Sequence, residues 1–561
     1  MKKCILLLLA ASILAAAPVS AYQKPTAVLG PGLNSGRTEF IQTSDRTLSA
    51  DTLYILTGLY YVDSLRTITI PEGTIIMGDT ASTLIIKRGA KIYATGTWNA
   101  PVVFTSLRPP GQRNPGDWGG VILLGRAPVN KVEPLIEGGI IGGSYGGSDP
   151  DDDSGVIRFA RIEYSGYRFQ LNNEVNGLTM GGVGRGTKLS HIQVSYNFDD
   201  SFEWFGGTVD AKYLVALGGT DDEFDTDFGY SGKVQFGFGL RDPLYWDPTG
   251  ESNGFESDND GSSTSTATPY TSPTFSNITL IGPQLSSTIG PPIGHRFQYG
   301  ALIRRSTRTS IYNSIICGYP WGLSLRDLYT KQACRDDVLQ WRNVSMTAHL
   351  LPTGSTHIHD ETRWPAADAV TPGVLAWFNT PAYNNKLSTV RYPSAIGINM
   401  TAVNDPNPVP AVGSEPDGSA DFSNPRLAGF TVTTYRGAFK PGEPFSQQWT
   451  AGWTNFDPQN TDYNPVQTGV EDTPHAKALL QNFPNPFNPS TSIRFTVPAA
   501  GRVVLAVYDV SGKTVATLVD KEMKAGSYET IFMADDLASG IYLYRVSGAG
   551  FSETRKMVLL R

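Results

Sequence analysis

The chain has 561 residues, of which 11 % are aromatic and 17 % charged, and its formal net charge is −7. That length exceeds one compact core and asks for a solenoid or several domains, while the aromatic content excludes a disordered chain. The negative balance disfavours nucleic acid and anionic membrane surfaces as partners.

Residues 1–21 read as a secretory signal peptide. Lys2 and Lys3 form its positive start, residues 5–17 its apolar core, and Val19-Ser20-Ala21 offers small residues at a cleavage site. The apolar run falls short of the about 20 residues of a membrane span, and no other stretch could serve as a transmembrane anchor. Cleavage would remove two lysines and no acid, taking the net charge to about −9. Cys317 and Cys334 would remain; in an oxidising compartment they either pair or stay as two thiols.

Residues 22–50 are polar and read as a leader segment. From Asp51 onward short runs rich in β-branched residues follow one another at 53–56, 67–70, 74–77, 84–87, 91–94 and 102–105, with turns at Pro71-Glu72-Gly73 and Arg88-Gly89-Ala90. No stretch here holds apolar residues at helical spacing. Further on, Asp199-Asp200-x-Phe202-Glu203 returns 22 residues later as Asp221-Asp222-x-Phe224-Asp225, each followed by a Gly and an apolar strand. A repeat of that length ending in a strand is the signature of one solenoid coil. Expected strand starts at Arg161, His191, Tyr213 and Lys233 are unequally spaced, so loops of different length leave one core. Residues 138–153 and 257–273 read as two long mobile loops. A short helix is expected over 327–342, with Leu339 and Trp341 as packing residues.

The segments 89–106, 116–125 and 157–166, the two repeat lines, and Ala301 to Arg308 together resemble the coils of right-handed parallel β-helices of secreted bacterial proteins. The resemblance covers residues 51–350 and implies an all-β fold. Residues 351–459 are irregular and read as a closing region that covers the open strand edge of the last coil. Residues 460–477 form a polar linker.

Residues 478–561 alternate strand-like runs with Ser-Gly turns, as a small immunoglobulin-like β-sandwich does. Asn485-Pro486 with Asn488-Pro489, Tyr508-Asp509-Val510-Ser511-Gly512, Leu537-Ala538-Ser539-Gly540-Ile541-Tyr542 and the ending Lys556 to Arg561 closely resemble the type A C-terminal sorting domain of the type IX secretion system of Bacteroidota and related bacteria. The resemblance implies the type IX machinery as a partner. It further implies removal of the tail, and a product anchored on the outer cell surface or released.

The densest candidate chemistry lies between Asp199 and Asp227, where nine carboxylates face one base, Lys212. Asp199, Asp200, Glu203, Asp221, Asp222, Glu223, Asp225 and Asp227 are the candidate metal ligands. In stacked coils, like charges about 4.8 Å apart repel by about 0.9 kcal/mol in water and about 3.5 kcal/mol at an effective dielectric of 20. Either they fan into solvent or a cation sits among them, and Ca2+ suits a flexible oxygen cage. Asp149, Asp151, Asp152 and Asp153 form a second candidate, and Asp258-Asn259-Asp260 a third. His357 and His359 would share a strand face as a transition-metal pair.

Arg304, Arg305 and Arg308 are basic neighbours. Polysaccharide lyases on β-helices use an Arg or Lys base beside calcium-bound uronate, a role Arg305 could take by that resemblance. No GxSxG, HExxH or P-loop is present. The leading expectation is a non-enzymatic binding protein for glycan or matrix, with Tyr230, Tyr245, Trp246 and Trp321 as stacking candidates. A polysaccharide lyase or hydrolase, and a structural surface-layer or filament component, are the alternatives.

Overall fold

A computed structural model describes residues 21–22, 24–169, 174–347, 358–359, 373–388, 390–463, 467–468, 482, 487–497, 500–524, 526–534, 537–548 and 551–560. Residues 1–20 of the expected signal peptide and His357 therefore lie outside the described residues.

The body of the chain is a parallel β-helix. Each coil gives one strand to an 11-stranded sheet and one bent strand, or two short ones, to a 17-stranded sheet. Strand Phe202–Phe205 pairs in parallel with Leu178–Gly181 below and Phe224–Asp227 above. Strand Ala211–Leu217 pairs in the same way with Lys188–Ser195 and Lys233–Leu240. Inward residues stack in files. Ile157, Leu189, Ala211, Val234, Phe275, Ile311 and Trp341 share one register, all buried. Phe202, Phe224 and Phe255 share another, with ring centroids 5.7 and 5.6 Å apart. Burial of a side chain of this kind contributes about 1.5–3 kcal/mol, and the solenoid repeats it coil after coil.

A left-handed residue bends each long strand at the same register. Phe159, His191, Tyr213 and Phe236 occupy it first, then Asn277, Asn313 and Asn343, all with φ between 48° and 61°. For a residue with a Cβ this conformation costs about 1–2 kcal/mol. The four rings stack at 4.2, 4.4 and 5.0 Å, and stacked pairs return about 0.5–1.5 kcal/mol each. The asparagines tolerate the conformation better and use their amides. Asn277 Nδ2 donates to the carbonyls of Tyr435 and Gly437 at 3.1 and 3.3 Å.

The helix begins earlier than the strand pattern suggests. Strands Thr26–Leu29, Glu39–Gln42 and Arg46–Thr47 of the expected leader pair with Leu53–Leu56, Leu59–Val62 and Thr67–Pro71. The Gly-rich insertion at 138–153 does not stand free, because Ile136, Ile140 and Tyr145 bury themselves against Tyr61, Ile122 and Leu124 of the 11-stranded sheet. The loop 257–273 is held by Asn259, which bonds Ala267 O and Thr271 N. The expected helix is confined to Leu328–Arg335, and Trp341 belongs to strand Trp341–Arg342. Cys317 and Cys334 are buried, unpaired thiols.

The closing region does two things. Strand Lys386–Ser388 pairs with Ser345–Thr347 of the last coil, and Trp377 and Phe378 pack into the core with Trp341, so this part covers the last edge. Residues 410–463 run back along the side of the 17-stranded sheet as a strap. Asn313 holds Asp421, Gln235 holds Thr431, Gln193 holds Asn455, and Arg113 holds Pro458 and Thr461. Trp453 is fully buried against the rings of Phe159 and His191. Residues 460–463, expected as linker, end the strap, with Tyr463 donating to buried Glu163. The C-terminal residues build antiparallel sheets of four and two strands around a separate core that includes Phe495, Leu505, Tyr544 and Met557.

Candidate metal centre

The acidic repeat lies on the 11-stranded sheet. Within strands Phe202–Phe205, Phe224–Asp227 and Phe255–Ser257 the phenylalanines point inward, and the alternation sends the next residue outward. Glu203, Asp225 and Glu256 share one register, so three successive coils present one carboxylate each. Asp200 and Asp222 occupy the turn before each strand. Asp200 Oδ1 accepts the backbone N–H of Asp222 at 2.8 Å, and Asp222 Oδ1 accepts that of Asn253 at 2.6 Å. Each thus spends an oxygen on satisfying the backbone of the next coil.

Asp200, Asp222, Asp225 and Glu256 line a cavity of about 290 Å³ with Asp221, Glu251, Arg304 and Arg326. Ligand oxygens of Asp199, Asp200 and Asp221 lie within 4.8 Å of one another, as do those of Asp200, Glu203 and Asp225. One ion with Ca–O bonds of about 2.3–2.6 Å can span that separation. Asp200 belongs to both groups. Asp225 Oδ1 is enclosed and has no hydrogen-bond partner among the described residues.

Burial raises the carboxyls of Asp199, Asp200, Glu203, Asp221 and Asp225 well above the ordinary range, and neighbouring carboxylates push the same way. Asp222 is pushed up to about 7, again first by burial. The insertion loop adds Glu137, which hydrogen-bonds Glu203; Asn176 Nδ2 donates to both. Two carboxyls in hydrogen-bond contact hold a proton between them unless a cation replaces it.

Of the expected ligands, Asp222, Glu223 and Asp227 belong to neither group of oxygens, and the last two are also absent from the cavity lining. Glu223 faces the interior, where it pairs with buried Arg241 at 2.5 Å and accepts from Tyr319 at 2.9 Å. Arg241 in turn donates to the carbonyls of Gly219, Asp221 and Asn253, and so ties the turns of the acid coils together. Asp227 accepts from Phe228 N at 2.6 Å and belongs to neither group of converging oxygens. The second candidate cluster is dispersed into pairs, Asp153 with Lys91 and Asp151 with Arg185. In the third, Asp258 pairs with Arg304 and Arg305, and Asp260 closes a local turn with Ser262 and Ser265. Arg308 lies over the Tyr270 ring at 3.5 Å. Tyr230 is core, stacked on Trp204 at 5.2 Å, whereas Tyr245, Trp246 and Trp321 are half-buried beside Tyr196, Phe297 and Tyr299.

Sequence reasoning passed over Glu256 and Glu137. Glu256 had a signal, since Phe255-Glu256 repeats the Phe-acid pair of Phe202-Glu203 and Phe224-Asp225 one coil on. Glu137 had none, because only the fold of a Gly-rich insertion brings it against Glu203.

An exported solenoid with an acid-lined cavity on one sheet and a separate C-terminal module is the class that fold and site define. Residues 40–371 match the pectate-lyase-like β-helix domain, and the chain belongs to that family. Residues 481–560 match the secretion system C-terminal sorting domain, which directs export by type IX secretion to the cell surface or extracellular space and engages that machinery. Comparison with curated proteins finds no match. Among the described residues no helix is long and apolar enough to cross a membrane.

Proposed function

We propose that the chain is a non-enzymatic binding protein, exported with a cleaved signal peptide at residues 1–21, that takes Ca2+ in the acid cavity and captures extracellular glycan. The observation that carries this reading is the convergence of carboxylates from consecutive coils in two groups, Asp199 with Asp200 and Asp221, and Asp200 with Glu203 and Asp225, each with oxygens close enough to share an ion. Several buried carboxylates without a cation would repel one another, and calcium accommodates six to eight oxygens in flexible geometry.

A lyase on the same scaffold is the second reading, favoured by Arg304 beside the acids. A base must give up its proton. Burial lowers the Arg304 guanidinium, but the carboxylates of Glu256 and Asp258 outweigh burial and raise it above its ordinary value. That pairing favours a structural or ligand-orienting arginine over a base.

The test is thermal unfolding of the full chain with Ca2+, Mg2+ or chelator. A hundredfold excess of Ca2+ over its Kd is expected to stabilise by about 2.7 kcal/mol, with Mg2+ far weaker because it demands small octahedral sites. Asp199→Asn with Asp200→Asn and Asp221→Asn should abolish the response. Loss of acid repulsion in that variant together with indifference to chelator in the wild type would overturn the metal reading. A glycan array with and without chelator, run beside an assay for unsaturated uronate products, separates binding from lyase activity.

A further inference from the structure

A groove of about 270 Å³ lies between the 17-stranded sheet and the strap, apart from the acid cavity. Leu189, Ala211 and Val234 share one register. Lys188 and Lys233 therefore hold equivalent positions two coils apart, about 10 Å, and Lys212 rises from the coil between them. Each ammonium donates to a neutral acceptor: Lys188 to Arg185 O at 3.0 Å, Lys212 to Thr431 Oγ1 at 2.9 Å, Lys233 to Ala428 O at 2.7 Å. An ammonium carries three donors, so each keeps capacity for a ligand. Among the described residues none of the three forms an ion pair. Asp210, between Lys188 and Lys233, accepts the backbone N–H of Lys233 on its Oδ1 at 2.8 Å. Asp210 is the one carboxylate in the lining, so the three ammonium groups leave the groove net positive in an acidic chain, and an anion there would offset their repulsion.

The groove is also built. Two hydrogen bonds between Gln235 and Thr431, at 2.7 and 2.8 Å, fix the strap wall. Phe430 supplies apolar lining, and Lys233 Nζ lies 5.7 Å from its ring centroid. Burial lowers the Lys212 ammonium, with Asp210 opposing. We propose that this groove binds one anionic sugar residue, a uronate or a sulfated saccharide, with its acid group among Lys188, Lys212 and Lys233 and its ring against Phe430. The volume lies just under the about 300–1,000 Å³ of pockets for drug-sized ligands, which limits the ligand to a terminal or single residue. An apolar patch beside convergent donors suits a sugar, whose CH face is apolar and whose edge is polar. The inference deepens the glycan reading and rests on it, but it is independent of calcium.

The test is titration calorimetry on the full chain in chelator, with a galacturonate disaccharide, a chondroitin sulfate disaccharide, cellobiose and inorganic sulfate as separate probes. One or both anionic disaccharides should bind, and which of them does so identifies the acid group. Added salt should weaken binding, and Lys212→Gln with Lys233→Gln should weaken it at least tenfold while the thermal transition stays in place. Asp225→Asn, at the acid cavity, should leave it unchanged. Chelator-resistant binding without any calcium response would discard the calcium reading and keep the groove. No heat with either disaccharide, equal binding of cellobiose, sulfate binding as tightly as the sugars, or an unaffected lysine variant would each overturn the proposal.

Discussion

At the residue scale, a carboxyl raised above its unfolded value holds its proton in the native state after the unfolded chain has released it. The native state then binds more protons, and stability falls as pH rises. The window opens at the ordinary carboxylate range near 4 and extends through about 7 for Asp222; Asp199, Asp200, Glu203, Asp221 and Asp225, all raised well above that ordinary range, act in the same direction. In chelator, the melting temperature is expected to be higher at pH 5 than at pH 8, with calcium shrinking or reversing the difference; an unchanged melting temperature would show that the acids are solvated. Arg241 gives a second expectation. Removing it strands Glu223 as a buried charge, so Arg241→Ala should lose about 3–5 kcal/mol in denaturant titration. The acids were legible as a cluster because they recur at a coil's spacing. The role of Glu223 was not. Alternation would set it on the face of Asp225, but the strand starts only at Phe224, and Glu223 lies in the turn where alternation does not hold.

At the scale of elements, the strap and the bent-strand corner depend on each other. The stacked rings of Phe159, His191 and Tyr213 are covered by Trp453 and Trp449, and burial lowers the His191 imidazole to about 4. Trp453→Ala should destabilise by about 3–5 kcal/mol, and limited proteolysis should then cut within 430–463 before the coils. Cleavage in the coils first would show that the strap is not the weaker element. The strands themselves were readable from β-branched runs and turns. The corner was not, because its residues recur at unequal intervals and change from aromatic to Asn partway along. Nor was the path of the strap, since a chain without regular structure carries no periodicity to show which surface it follows.

At the scale of the whole molecule, the β-helix and the sorting domain have separate cores. A chain lacking residues 481–560 should therefore keep the calcium-sensitive transition of the helix while remaining in the periplasm; recovery of normal amounts at the cell surface would separate export from the tail. Both domains were legible, one from coil motifs and the other from spaced tail motifs, but the first coil was hidden in a polar segment whose exposed side chains mask its strands. The strap also sets how the molecule would bear load. In a solenoid each coil touches only its neighbours, whereas the strap links coils as far apart as those of Asn313 and Arg113. If the protein is held at the end that removal of the tail would leave, tension reaches the strap at Tyr463 and meets the anchors at Glu163, Arg113, Gln193, Gln235 and Asn313 one after another. Pulled from that end, the protein should peel in a series of small force peaks before any coil opens, dissipating work much as a row of stitches does.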